Sequence, residues 1–119
     1  MINHIKISRN FFLDEFQCNG EDCCGGVVKL QPKALSCIQK VRCCIQKPVI
    51  INSGYRCPKH DKEIGGKGNH PRGDSLDWWA EGMTPKEMLA VAEYCGFTGL
   101  GEGINFVHTD TGKKRRWRY

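Results

Sequence analysis

No stretch of this sequence stays apolar for the roughly 18 residues that a membrane-crossing helix needs, which excludes a helical membrane span. Its start, Met1-Ile2-Asn3-His4-Ile5-Lys6, lacks the long apolar centre of a secretory leader. The expectation is a chain made in the cytoplasm that either stays there or reaches its target by release through another route. No internal repeat is present, which excludes stacked-repeat architectures. Nor is there a pair of C-x-x-C motifs, the usual spacing of a structural zinc finger. At 119 residues, one domain spanning 1–119 is expected. That length can bury a core, yet is small enough to gain from a metal or another staple.

Eight cysteines are many for such a chain: Cys18, Cys23, Cys24, Cys37, Cys43, Cys44, Cys57 and Cys95. Buried free thiols, disulfides and a structural metal site are all open readings, and the missing leader favours thiols during folding. Cys18-x4-Cys23-Cys24 could contribute to a second, structural metal site. Cys37 and Cys44 share a helix face and read most simply as small core residues. The net charge is +5, with Lys113, Lys114, Arg115, Arg116 and Arg118 gathered near the end. In decreasing weight, this basic run reads as a solvated strand edge that discourages edge pairing, as a contact for an anionic wall polymer, or as a nucleic-acid contact.

Local signals divide the chain into short elements. Asn10 to Phe16 reads as a capped helical turn with Phe12 and Phe16 on one side. Cys18 to Gly26 is a loop. Pro32 opens a helix in which Leu35, Ile38, Val41 and Ile45 recur at helical spacing, and Pro48 stops it. Val49 to Asn52 is a buried strand. A short helix is expected near Pro58 to Ile64, and a second strand at Ser75 to Trp79. Thr84-Pro85-Lys86-Glu87 is a capping box with proline at the first helical position, Met83 and Met88 suit the staple around it, and Gly96 ends that helix. Gly99 to Gly101 is a turn or strand entry. Ile104 to Thr109 and Arg115 to Tyr119 read as two strands around a Thr111-Gly112 turn. The class is α+β: a small antiparallel sheet carrying the site, with two main helices packed on it.

The chemistry gathers at His70, Asp77 and His108. Two imidazoles and one carboxylate form the three-donor set of a catalytic zinc site that keeps a fourth position open. Pro71, Arg72 and Gly73 can turn the chain so that Asp77 returns from the following strand. Strand alternation places Phe106, His108 and Asp110 on one face. His4 and His60 read as exposed histidines. Cys57, though beside Arg56, has no base paired with it and is not read as a nucleophile.

These residues stand in a wider pattern: Ser53-Gly54-Tyr55-Arg56, then His70-x6-Asp77, then His108-x-Asp110. In that order they resemble the D-alanyl-D-alanine carboxypeptidase family of zinc peptidases, which includes phage L-alanyl-D-glutamate endolysins and is related in structure to the hedgehog signalling domain. The resemblance runs from about Phe11 to Trp117. It implies one Zn2+ held by His70, Asp77 and His108, and a peptidoglycan stem peptide as substrate. It also implies cell-wall action after release, as in phage lysis. Arg56 would hold the substrate carbonyl or carboxylate and stabilise the anionic intermediate. Tyr55 packs below the site or touches substrate. For the general base, the glutamate common three residues before the last histidine is Asn105 here, which leaves Asp110 and Glu102 as candidates. The alternative role for Asp110 is to orient a histidine. Gly68 stands where the family has a serine. A monomer is expected. The rival functions are a non-catalytic zinc domain that binds a partner or the wall, and a small basic nucleic-acid binder.

Overall fold

The computed structural model describes residues 3–119, so Met1 and Ile2, with which the reading of the N-terminus begins, lie outside the described residues. The elements are α1 (Pro32–Ile45), β1 (Ile50–Ser53), α2 (Pro58–Glu63), β2 (Ser75–Trp79), α3 (Pro85–Tyr94), β3 (Gly99–Glu102), β4 (Val107–Asp110) and β5 (Arg115–Arg118), with 3-10 turns at Leu13–Phe16 and His70–Arg72. The class is α+β, as expected. Among the described residues no helix is long and apolar enough to cross a membrane.

Local chemistry sets the helix ends. Pro32 starts α1, and Gln46 closes it in a left-handed conformation just before Pro48. On α3 the expected capping box is formed: Thr84 Oγ1 accepts from the Glu87 amide at 3.2 Å, and Glu87 Oε1 accepts from the Thr84 amide at 2.8 Å. Met88 is buried and Met83 packs against the core beside it. Gly96 then takes φ +112°, where a side chain would be strained. The turn near the start differs from expectation. Phe11, not Phe12, packs with Phe16, their ring centroids 5.5 Å apart, because only Leu13–Phe16 is helical and the residues before it run extended. Phe12 instead stacks on His4.

The sheet order is β1-β2-β4-β3-β5. All neighbours are antiparallel except β3 and β5, which run parallel. The expected hairpin of β4 with β5 around Thr111-Gly112 is therefore absent. Its cause is geometric: β4 is flanked on both sides, by β2 and by β3, so it has no free edge. The Gly112 amide donates to Asp110 Oδ1 and Thr98 Oγ1 donates to the Gly112 carbonyl, which folds the link back over the sheet and sets β5 beside β3.

One face of the sheet packs under the helices. Leu76, Trp78, Leu100 and Val107 join Ile38, Val41, Met88, Leu89, Ala92 and Phe97 in the main core. Cys37 belongs to it, whereas Cys44 is exposed at the rim of the core, its Sγ 3.8 Å from that of Cys95. The other face carries the polar residues.

Candidate metal centre

Register builds the centre. Asp77 on β2 stands directly opposite His108 on β4, so the two side chains leave the sheet side by side on the same face. His70 arrives from the 3-10 turn that follows the glycine-rich segment 65–68. One donor atom from each of His70, Asp77 and His108 lies within 4.8 Å of the others. His70 and His108 are buried, and their rings meet edge to face with centroids 5.1 Å apart.

The hydrogen bonds assign the free nitrogens. His70 Nδ1 lies 2.8 Å from the Gly54 carbonyl, an acceptor only, so it carries the hydrogen and Nε2 is left for the centre. His108 Nε2 lies 2.7 Å from Asp110 Oδ2, which leaves Nδ1 for the centre, 3.1 Å from Asp77 Oδ1. Burial on its own would raise the Asp77 carboxyl, but the bonds from His108 and His70 outweigh it and hold it well below the ordinary range. Burial opposes charge on His108 too, yet Asp110 and Asp77 at its two nitrogens raise it above its ordinary value. Two imidazole lone pairs and a carboxylate directed at one spot, with the far side of each ring already bonded, fit a borderline divalent cation such as zinc.

Arg56 sits beside the centre, with its Nε donating to Ser53 Oγ (3.0 Å), Nη1 to Asp61 Oδ1 (2.9 Å) and Nη2 to Asp77 Oδ2 (3.0 Å). Much of the guanidinium fork expected to serve a substrate is therefore held by the protein, although Arg56 also lines the cleft. Tyr55 does not line that cleft. It is buried in a small cluster with Cys18 and Cys57, so the substrate contact expected of it gives way to the packing role.

Neither candidate base faces the centre with a free carboxylate. Asp110 has the expected strand face, but it is fully buried behind His108. Its oxygens accept from Arg115 Nη1 and Nη2 at 2.9 and 2.7 Å and from the Gly112 amide at 3.0 Å, in addition to the His108 bond. Burial would raise this carboxyl; the bonds from His108 and Arg115 outweigh it and hold it well below the usual range, which suits orientation of a histidine better than proton uptake. Glu102 is opposite Val107, a core residue, so alternation sends its side chain to the helix face, away from His108. There it meets Arg118 at 3.4 Å.

Several contributors escaped the sequence reading. Arg115 belongs to the run read as a solvated edge, yet its guanidinium holds Asp110 and stacks over Trp117, 4.8 Å from the ring centroid. Trp117 in turn lies against His108, centroids 5.1 Å apart. Gly101 stands opposite both, and a Cβ there would sit 2.6 Å from the Trp117 ring, so glycine is what lets the indole approach. Asp61, buried, ties Arg56 to the glycine-rich segment by accepting from the Gly68 amide at 3.0 Å. Alternation on β5 could have flagged Arg115 and Trp117; nothing local could have flagged Asp61. His60 is half-buried and His4 bonds Asp14, neither near the centre.

A cleft of about 240 Å³ opens over the centre, walled by Arg56, Lys67, Asn69, Phe106 and Tyr119. Asp77 is the one carboxylate among its lining residues. A larger hollow of about 520 Å³, between Pro48, Ile50 and Trp79, holds no cluster of metal donors.

The sequence profile of the family described as Peptidase M15 matches residues 9–110. The peptidoglycan L,D-endopeptidase MepK of Escherichia coli is 32% identical over 81 residues, covering 60% of this chain and 44% of the relative. MepK of Shigella flexneri matches to the same extent. The chain thus spans less than half the length of these relatives.

Proposed function

The chain belongs to the peptidase M15 family, and we propose that it is a zinc-dependent peptidase acting on peptidoglycan stem peptides, folded as one domain over residues 1–119 and reaching the wall after release from the cell. The observation that carries this reading is the convergence of His70 Nε2, His108 Nδ1 and Asp77 on the floor of a cleft beside Arg56. The names of the MepK relatives favour an internal L,D bond, such as that between L-alanine and D-glutamate, over the terminal D-alanyl-D-alanine bond.

His70, Asp77 and His108 hold the zinc in this reading. When bound, the ion polarises the scissile carbonyl and makes water nucleophilic near neutral pH. The Gly54 carbonyl and Asp110 fix the two rings in the tautomers that leave a lone pair for the ion. Arg56 holds Asp77 turned inward through its Nη2 bond, and its free N–H groups bind the substrate carbonyl oxygen as negative charge develops there. Phe106 and Tyr119 flank the peptide, and the exposed Lys67 meets its carboxylates. Asp110 acts through His108 as a positioning residue, not on water.

A second reading keeps the zinc without the catalysis, as a domain that binds the wall or a partner. It is favoured by one observation: no lining carboxylate other than Asp77 faces the cleft. One experiment separates the two. Purified wall fragments are incubated with the zinc-loaded protein and analysed by mass spectrometry. New fragments with a free amine at the cut bond, absent after chelation, are expected. Stoichiometric zinc with intact fragments would select the second reading.

A further inference from the structure

A second group of metal-donor atoms converges outside the His–Asp–His set, and it is built wholly from sulfur. One Sγ from each of Cys18, Cys23, Cys24 and Cys57 lies within 4.8 Å of the other three. The Cys18–Cys23 and Cys23–Cys24 separations are 3.8 and 3.9 Å. Sulfurs at the corners of a tetrahedron, each about 2.3 Å from a central zinc, stand roughly 3.8 Å apart. A disulfide would instead draw one pair to about 2.05 Å and leave the others unpaired.

Backbone donors reach the cluster. The Cys57 amide donates to Cys18 Sγ and the His60 amide to Cys57 Sγ, each at 3.4 Å, so backbone dipoles point at two of the sulfurs. The loop is shaped to let the sulfurs meet: a Cβ on Gly20 would collide with Cys23 Sγ and the His60 ring. Cys18–Gly26 contains no helix or strand, and the apolar cluster beneath it is small, with Tyr55 as its one large side chain. Apolar burial alone is a weak reason for this loop to stay closed.

We propose that Cys18, Cys23, Cys24 and Cys57 bind a zinc ion as four thiolates, a structural centre that pins the Cys18–Gly26 loop to the turn bearing Arg56. With all four positions filled by protein, no site is open to water, which marks a structural and not a catalytic ion. Binding displaces the thiol protons and changes no oxidation state. Because Cys57 follows Arg56 directly and caps α2, the same ion anchors one end of the candidate cleft. This centre would form whether or not the chain cleaves peptides.

Zinc content of the reduced, zinc-loaded full chain tests it. The native protein is expected to hold two ions per chain. Asp77→Ala/His108→Ala should keep one, and Cys23→Ser/Cys57→Ser should keep the other. Cobalt in the Asp77→Ala/His108→Ala protein should give intense sulfur-to-cobalt charge-transfer absorption. Should the serine variant fail to fold, alkylation of the native chain decides. The four thiols should label about tenfold or more slowly with zinc than after chelation, mapped by mass spectrometry. Equal labelling of the four in both states, a disulfide between any two of them in anaerobically purified protein, or a single zinc per native chain that His108→Ala removes, overturns the proposal.

Discussion

The two faces of the central sheet come from the same strands and carry opposite contents. Toward the helices, Leu76, Trp78, Leu100 and Val107 are almost wholly buried in the core. Away from them stand Asp77, His108, Asp110, Arg115 and Trp117, with Gly99 and Gly101 leaving room where side chains would collide. Successive residues on one strand thus belong to different tasks. The period of two has a consequence: a register slip of one residue would send the donors into the core and the core to solvent. The apolar face therefore holds the register on which the polar face depends.

Neighbours on β2 give the sharpest separation. Asp77→Ala is expected to abolish both zinc at the His–Asp–His site and peptide cleavage, with cleavage falling to background in the wall-fragment assay. Trp78→Ala should cost about 3–5 kcal/mol in chemical denaturation, since it empties a large core volume and strips Thr109 Oγ1 of its indole donor. The folded fraction of that variant should still bind zinc. A Trp78→Ala protein that folds fully yet binds no zinc would break the division between the faces.

This division was half legible beforehand. The donors are legible because each sits in a local frame, a turn after His70, a strand through Asp77 and alternation through His108 and Asp110, and because the ordered string that resembles the zinc peptidases joins frames 31 residues apart. Helix ends were legible for the same reason, since Pro32, the Thr84 box and Gly96 act on their immediate neighbours. What failed was everything that depends on which strand lies beside which. The partner of β5 follows from the closed edges of β4, a property of the whole sheet. The offset of Glu102 from His108 along the chain makes it a candidate base, but its face is set by pairing with Val107. The basic run groups Arg115 with exposed neighbours, whereas alternation turns it inward to Asp110. Asp61 and the meeting of Cys57 with Cys18 needed the fold itself.

Within the polar face, distance from the centre should grade the effects. Arg56→Lys keeps the charge but cannot reproduce bonds to Ser53, Asp61 and Asp77 together, so kcat/KM should fall by about 100-fold with zinc retained. Asp110→Asn should cost about 10- to 100-fold in zinc affinity or activity, because the ring of His108 loses its anionic partner and Arg115 its counter-charge. Competition with a fluorescent chelator measures the first quantity and fragment release the second. If Asp110 were the base, Asp110→Asn would instead leave zinc affinity unchanged and remove turnover alone.

The smallest effect is the most pointed. Glu102→Gln touches the residue whose chain offset made it a candidate base, and whose partner Val107 places it on the other face. Its carboxylate is partly exposed and meets Arg118, itself a solvent-facing side chain, so stability should change by less than about 0.5 kcal/mol. Fragment release should change by less than about twofold, since the group is not among the residues that line the cleft. A loss of a hundredfold or so, with zinc fully bound, would mean that the end of β3 swings its carboxylate round the strand terminus to the other face when substrate binds. The two faces would then share a residue, and the alternation that separates them would hold only in the interior of the strands.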